Sequence, residues 1–167
     1  MHKVFIATTS FGIHSKEPFE LLKNNGVDFT INDKCRKLSS TEIKDILVGF
    51  DGVIAGNEMY TKKTLSNLGS LKVISRLGVG LDNIDLAYAE KSKIKVFKTN
   101  TTPAPAVAEL ALGLIIDLSR KISYQNKELK DGTWKKHFGS LVSGKTLGII
   151  GLGTIGKHLI ELTKGFN

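Results

Sequence analysis

Short apolar segments alternate with short amphipathic segments through residues 1 to 98, at a spacing of roughly 20 residues. Strands are predicted at Lys3–Thr8, Val27–Ile31, Gly52–Gly56, Lys72–Leu77 and Ile94–Phe97. Helices are predicted at Pro18–Gly26, Ser39–Leu47, Thr61–Leu68 and Leu86–Lys91. This alternation is typical of right-handed βαβ units, so it predicts an α/β fold with a parallel sheet and helices on both faces.

The segment after residue 98 changes character. Pro103-Ala-Pro105 precedes a stretch at Ala106–Arg120 that is apolar nearly all round. Such a helix has to be buried on most sides, either between domains or in a subunit interface. A more polar helix is predicted at Ser123–Lys130, followed by an irregular segment at Thr133–Ser143.

A glycine-rich stretch follows. Thr146–Ile150 suits a strand that is buried on both faces, and helix-forming residues run from Lys157 to Lys164. Between them, Gly151, Gly153 and Gly156 form G-x-G-x-x-G. In this context the pattern predicts a dinucleotide pyrophosphate site at a helix N-terminus, and the alternative is an ordinary strand-to-helix turn. The acidic residue that would bind the ribose is expected about 20 residues further on, past Asn167.

Composition narrows the function classes. The 167 residues are 41% hydrophobic and 24% charged, with no apolar run near the roughly 18 residues of a membrane span and no signal-peptide pattern. Cys35 is the single cysteine, which favours the cytoplasm. The net charge is +8, but the lysines are scattered and only Arg36, Arg76 and Arg120 are arginine. A solvated surface is therefore expected, with no nucleic-acid and no membrane partner.

Two loops after predicted strands are candidates for ligand binding, because ligands of open parallel sheets bind beyond the carboxyl ends of strands. They are Gly56–Tyr60 and Leu77–Asp85. In the second loop, the peptide N–H groups around Gly78 and Gly80 can converge on a carboxylate or phosphate oxygen. The alternative is a tight turn in which Asp82 caps the next helix. The sequence shows no metal-ligand spacing and no nucleophile motif, so no metal site is expected.

Four stretches resemble the D-isomer-specific 2-hydroxyacid dehydrogenases, which include phosphoglycerate dehydrogenases. The stretches are Leu71–Leu86, Ala106–Leu114, Asp131–Trp134 and Gly144–Gly156, and they occur in the order found in that family. The resemblance implies a flavodoxin-like substrate-binding domain over residues 1–98. It also implies connecting and dimerisation helices with an arm over 99–144, and the opening βα unit of a Rossmann NAD-binding domain over 145–167.

The resemblance also implies roles for particular residues. Backbone amides of Gly78, Val79 and Gly80 are expected to hold the substrate carboxylate, with Asn57 and Glu58 nearby. The residues expected to bind the cofactor are Val79, Gly151, Gly153, Thr154, Ile155 and Gly156. The family's catalytic arginine, glutamate and histidine fall outside this chain, so no residue here inherits a catalytic role.

These expectations lead to three hypotheses. The first is a truncated NAD-dependent 2-hydroxyacid dehydrogenase, inactive alone, that acts in its complete form on a 2-hydroxy or 2-keto acid such as 3-phosphoglycerate. The second is a non-catalytic NAD-related binding or dimerisation module. The third is a fragment whose reading frame continues past Asn167. A homodimer through about residues 100–140 is expected in the first two, and the choice between NAD and NADP stays open.

Overall fold

Strands and helices alternate through the first compact unit, Met1–Thr101, of the computed structural model, which describes residues 1–166. The strands are β1 (His2–Ile6), β2 (Val27–Ile31), β3 (Gly52–Ala55), β4 (Val73–Arg76) and β5 (Lys95–Lys98). The helices are α1 (Glu17–Asn24), α2 (Ser40–Ile46), α3 (Lys62–Leu65) and α4 (Leu86–Lys91). All nine predicted elements of this unit are present, with ends shifted by a few residues.

The five strands form one sheet in the order β2-β1-β3-β4-β5, and every pairing is parallel. Phe5 pairs with Val53, Val53 with Ile74, and Ile74 with Val96, so these side chains lie in one row across the sheet. This strand order is the flavodoxin-like one, in which the direction of winding reverses between β1 and β3. The predicted α/β parallel-sheet fold is confirmed.

One face of the sheet carries the core of this unit. The row from Phe5 to Ile74 packs under α2, α3 and α4, and burial of side chains of this size contributes about 1.5–3 kcal/mol each. The largest fully buried side chains are Tyr60, Ile6, Leu38, Ile43, Leu47, Leu65, Ile74, Val53 and Thr64. The other face has an apolar groove over Val4, Ile54 and Val73, where Gly52 leaves a shallow hollow.

Helix α2 begins with the predicted capping box. The Ser39 hydroxyl accepts a hydrogen bond from the Glu42 N–H, and the Glu42 carboxylate accepts one from the Ser39 N–H. The same carboxylate pairs with Arg36 at 2.7 Å and with Lys34 at 2.6 Å. The Arg36 guanidinium, followed by Lys34, holds the pKa of Glu42 well below its ordinary value near 4.5. Glu42 therefore anchors the loop after β2 to the start of α2.

The second unit begins at Thr102, and its described residues, up to residue 166, contain three α-helices. They are α5 (Ala104–Arg120), α6 (Ile122–Lys130) and α7 (Thr154–Thr163), and a short 3-10 helix follows at Lys164–Phe166. Helices α5 and α7 pack against each other. Gly132, with a φ of +79°, follows α6. Residues 133–153 contain no regular element, as predicted for the irregular segment at Thr133–Ser143.

One prediction for this unit is wrong in the structure, and another is not met within a single chain. Thr146–Ile150 is not a strand buried on both faces, because within residues 1–166 no other strand pairs with it, and Ile150 is fully exposed at 106%. Burial of helix α5 on most sides is not provided within residues 1–166 of this chain, since only Ala104 and Ala108 are buried. Its outward stripe of Val107, Leu110, Leu114 and Leu118 is exposed, with Leu118 at 78%.

None of the helices described for residues 1–166 combines the length and the apolar character needed to span a bilayer.

The ion pairs of Glu42 with Lys34 and Arg36 predict a pH-dependent contribution to the stability of the fold. The folded-state pKa of Glu42 lies below its unfolded value, so its contribution is present above pH 4.5 and is lost as the pH falls towards the folded-state pKa. Glu42→Gln should therefore lower the melting temperature at pH 7, and its difference from wild type should shrink as the pH is lowered below 4.5. Thermal unfolding followed by circular dichroism measures both values. Asp45→Asn, an exposed carboxylate on the same helix, is the control. An unchanged difference between pH 7 and pH 3 would contradict this role of Glu42.

Candidate functional site

The loops after β3 and β4 are joined by hydrogen bonds at the carboxyl edge of the sheet. The Tyr60 N–H donates to the Asn83 carbonyl at 2.8 Å, and the Asp85 N–H donates to the Tyr60 carbonyl at 2.9 Å. The Asn83 side-chain amide donates to the carbonyls of Glu58, at 2.7 Å, and Gly56, at 3.2 Å. The two loops singled out from the sequence are thereby held in one arrangement.

Gly78 is fixed by the end of the neighbouring strand. Its N–H donates to the Thr99 hydroxyl at 3.0 Å and to the Arg76 carbonyl at 2.9 Å, and its carbonyl accepts from the Thr99 N–H at 3.1 Å. The N–H groups of Val79 and Gly80 have no hydrogen-bond partner within residues 1–166. The amides left for an anion in this loop are therefore those of Val79 and Gly80, while that of Gly78 is already engaged.

Arg76 places its guanidinium beside this loop. One terminal nitrogen, Nη2, donates to the Asn57 Oδ1 at 2.6 Å, and the other, Nη1, donates to the Leu77 carbonyl. The backbone of Gly78 has a φ of +152°, and a Cβ there would stand 2.5 Å from the Arg76 Nη1. The backbone conformation favours glycine at this position, and a Cβ there would also displace the end of the Arg76 side chain.

Glu58 is a buried acid in the loop after β3. Its residue is 3% exposed, and its Oε2 accepts a hydrogen bond from the Gly56 N–H at 2.8 Å. The nearby phenol of Tyr60 is fully buried, and its hydroxyl has no hydrogen-bond partner among the described residues. Burial, followed by the negative charge of Glu58, raises the pKa of Tyr60 above its ordinary value.

A polar cavity of about 180 Å³ lies among the loops after β1, β2 and β3. Its lining consists of Thr8, Thr9, Ser10, Lys37, Asn57 and Glu58. The cavity lies where β1 and β3 adjoin, which is the point at which the strand order reverses. Open α/β sheets bind their ligands at this point.

The glycine turn of the second unit brings helix α7 close to the backbone before it. Gly151 has a φ of +90°, Gly153 is the N-cap of α7, and Gly156 is buried. A Cβ on Gly156 would stand 2.9 Å from the Gly151 carbonyl oxygen, so the helix can approach the turn only with glycine there. The N–H groups of Thr154 and Ile155, in the first turn of α7, have no partner within residues 1–166.

Comparison with known proteins identifies the family. The family model described as "D-isomer specific 2-hydroxyacid dehydrogenase, catalytic domain" matches residues 6–161. The chain belongs to this family. The family suggested by the four sequence motifs is thereby confirmed.

Individual relatives match both sequence and fold. A hydroxypyruvate reductase from Thermotoga maritima is 35% identical over 154 residues, which cover 90% of this chain and 49% of the relative. A D-3-phosphoglycerate dehydrogenase from Synechocystis is 38% identical over 130 residues, covering 76% of this chain and 24% of the relative. The crystal structure of the TT0316 protein from Thermus thermophilus superposes with a TM-score of 0.87 at 26% identity, covering 98% of this chain and 53% of that one.

A further solved structure is described as a D-isomer specific 2-hydroxyacid dehydrogenase, NAD-binding, from Polaromonas. It has a TM-score of 0.84 at 26% identity and covers 99% of this chain. The chain spans about half the length of these two solved structures and of the Thermotoga relative, and about a quarter of the Synechocystis relative.

Three residues at the carboxyl edge of the sheet were not among the site residues predicted from the sequence. Arg76, Asn83 and Thr99 form hydrogen bonds to the loops after β3 and β4, and none of them was named as a site residue, although Asn83 lies within the candidate loop Leu77–Asp85. A charged residue that ends an otherwise apolar strand was the available signal for Arg76. Thr99 gave none, because its contact joins residues 21 positions apart. Among residues 1–166, no group of three or more His, Cys, Asp or Glu side chains is placed to hold a metal ion.

The backbone conformation of Gly78 predicts the effect of adding one methyl group at this position. Gly78→Ala should destabilise the first unit by about 1–3 kcal/mol, the usual cost of a non-glycine residue held in a sparsely populated backbone region. Urea unfolding followed by circular dichroism measures this change. Gly69→Ala is the control, because a Cβ there meets nothing within 4 Å, and its effect should stay within about 0.5 kcal/mol. Equal effects of the two substitutions would show that Gly78 is not constrained.

Proposed function

We propose that this chain provides the substrate-carboxylate loop and the pyrophosphate turn of an NAD-dependent 2-hydroxyacid dehydrogenase. In that reaction a hydride leaves C2 of a 2-hydroxy acid for the nicotinamide ring, and the hydroxyl proton passes to a base as the 2-keto acid forms. The observation that carries the proposal is the pair of unpartnered amides at Val79 and Gly80, beside the guanidinium of Arg76.

The substrate carboxylate is assigned to this pair of amides. Two N–H donors and a nearby guanidinium suit an anion, because hydrogen bonds to an ionised group are shorter and stronger than neutral ones. Gly78 contributes by position, since its contacts with Thr99 set the direction of the peptide groups that follow. Asn57 orients the guanidinium, and Val79 is proposed to contact the nicotinamide side of the cofactor.

The pyrophosphate is assigned to the turn at Gly151, Gly153 and Gly156 and to the amides of Thr154 and Ile155. The described residues fit this group, because the first turn of α7 presents unpartnered N–H groups at the positive end of the helix dipole. NAD would supply the hydride acceptor. The residues of this chain would hold its phosphates in place.

The domain division is part of the same proposal. Residues 1–98 would form the substrate-binding domain, 99–144 the connection, and 145–167 the start of the cofactor domain. By resemblance, no residue of this chain is a catalytic acid or base, so we expect the 167-residue chain to bind substrate without turning it over. We also propose a cytoplasmic location, in keeping with the free, exposed thiol of Cys35.

The assignment of the carboxylate predicts where a small 2-hydroxy acid binds. Titration of the ¹⁵N-labelled chain with D-lactate should shift the amide signals of Val79 and Gly80, and D-lactamide, which lacks the charge, should not. Gly78→Ala should weaken the response to D-lactate, whereas Gly69→Ala should leave it unchanged. An absence of lactate-dependent shifts at Val79 and Gly80 in the folded wild-type chain would contradict the proposed function.

We further propose that the chain forms a homodimer through about residues 100–140. The support is the stripe of Val107, Leu110, Leu114 and Leu118 on α5, which recurs at helical spacing and is exposed. Trp134 and Phe138, in the arm after α6, are each 89% exposed and belong to the same segment. Apolar side chains of this size are stabilised when a second surface covers them.

The dimer proposal predicts the effect of a charge within the stripe. Leu114→Lys should convert the dimer to a monomer in sedimentation velocity at micromolar concentration, because an ammonium would have to be buried without a partner. Glu109→Lys introduces the same side chain at an exposed polar position of the same helix and should leave the dimer intact. A wild-type chain that sediments as a monomer would refute the proposal.

A further inference from the structure

The polar cavity of about 180 Å³ near β1 and β3 is not accounted for by the carboxylate loop or the glycine turn. It is several times larger than the roughly 30 Å³ that one water molecule occupies in the liquid, so it has room for a small polar group. Its walls come from the loops after β1, β2 and β3, which begin at the carboxyl edge of the sheet. All of its lining residues carry polar side chains.

The charges around the cavity indicate the chemistry of its guest. Lys37 contributes one ammonium and Glu58 one carboxylate, so the formal charge of the lining is zero. The Glu58 carboxylate forms none of the ion pairs found within residues 1–166, and its buried position prevents it from turning into solvent. A doubly charged phosphate in the cavity would therefore lie against a fixed negative charge, while a hydroxyl could donate to that same carboxylate.

Two of the three hydroxyl groups of the lining are held in place by hydrogen bonds. The Thr8 and Ser10 hydroxyls hydrogen-bond to each other at 3.0 Å, and the Ser10 N–H donates to the Thr8 hydroxyl at 3.4 Å. On the other wall, the Gly56 N–H holds one oxygen of the Glu58 carboxylate. The cavity thus presents oriented acceptors and donors to a neutral polar group, which lowers the entropic cost of binding it.

The cavity is next to the proposed carboxylate loop. Asn57 lines the cavity, and its Oδ1 accepts the hydrogen bond from the guanidinium of Arg76 that lies against Gly78. The Asn57–Arg76 pair therefore joins the loop of Gly78, Val79 and Gly80 to the rim of the cavity.

We propose that this cavity binds a hydroxyl group on C3 of the substrate, with Glu58 as its acceptor. The protein then prefers 2-hydroxy or 2-keto acids that carry a free hydroxyl on C3 over those whose C3 is a methyl group or carries a phosphate ester. This inference rests on the proposed function, because it requires the substrate carboxylate to be bound at Val79 and Gly80.

Three ligands that differ only at C3 test the inference on the ¹⁵N-labelled 167-residue chain. They are D-glycerate, with a free hydroxyl, D-lactate, with none, and 3-phospho-D-glycerate. D-glycerate should bind about tenfold or more tightly than D-lactate, the size expected for one hydrogen bond to a charged group. It should also shift the amide signals of Ser10 and Glu58, which D-lactate should leave in place. 3-Phospho-D-glycerate should bind more weakly than D-glycerate.

A charge-neutral variant identifies the acceptor. Glu58→Gln keeps an oxygen for the Gly56 N–H but removes the charge, so it should reduce the preference for D-glycerate over D-lactate several-fold and strengthen binding of 3-phospho-D-glycerate. Glu20→Gln, an exposed carboxylate on α1, is the matched control and should change neither value. If Glu58→Gln does not fold, as judged by circular dichroism, Ser10→Ala at the exposed rim should still reduce the preference.

The outcomes separate this inference from the proposed function. Equal affinities for D-glycerate and D-lactate, with shifts at Val79 and Gly80 in both cases, would overturn the hydroxyl subsite and leave the carboxylate assignment standing. Tighter binding of 3-phospho-D-glycerate than of D-glycerate, with shifts at Lys37, would overturn it in favour of a phosphate subsite. An absence of shifts at Val79 and Gly80 with all three ligands would contradict the proposed function itself.

Discussion

All five strands of the first unit run parallel, so their carboxyl ends and the loops after them lie along one edge of the sheet. Residues far apart in the sequence, such as Ser10, Glu58 and Gly78, are brought to this edge by strand direction alone. Reversal of the strand order between β1 and β3 then opens a crevice between the loops. The polar cavity lies in that crevice and the loop proposed to bind the substrate carboxylate lies after β4, so both depend on the same parallel pairing.

The fold of the first unit could be predicted because its determinants are local. The alternation of apolar segments sets the strands, and Ser39 with Glu42 sets the start of α2 within a single turn of chain. Helix α3 shows the limit of this reasoning, since it ends at Leu65 where Ser66 is extended, although the apolar pattern runs on to Leu68. Strand formation at 146–150 was beyond local reasoning, because a strand requires a hydrogen-bonded neighbour that sequence pattern cannot supply.

Less of the candidate site than of the fold could be predicted, because many of its contacts join residues that are far apart in the sequence. The two loops were recognisable from their glycines and their place after strands, and the family motifs fixed Gly78, Val79 and Gly80 as candidates. The Gly78 N–H is engaged by the Arg76 carbonyl and by the hydroxyl of Thr99, which lies just after β5 and 21 positions away. No local pattern indicated the Thr99 contact. The burial of Glu58 and its place in the cavity likewise come from tertiary structure and from no motif.

In the glycine turn of the second unit, the geometry of the turn depends on local sequence, whereas burial of the segment before it depends on tertiary contacts. Gly151 and Gly156 form a tight turn, with the Gly151 carbonyl 2.9 Å from a Cβ position on Gly156, although the segment before them forms no sheet. A positive φ and a missing Cβ are properties of the glycines themselves, so the turn forms without a neighbouring strand. Ile150 is apolar, as residues of a buried parallel strand are, yet it is exposed here because no second surface within residues 1–166 covers it. The turn therefore comes from the sequence of this stretch, whereas burial of the segment before it depends on contact with a second surface.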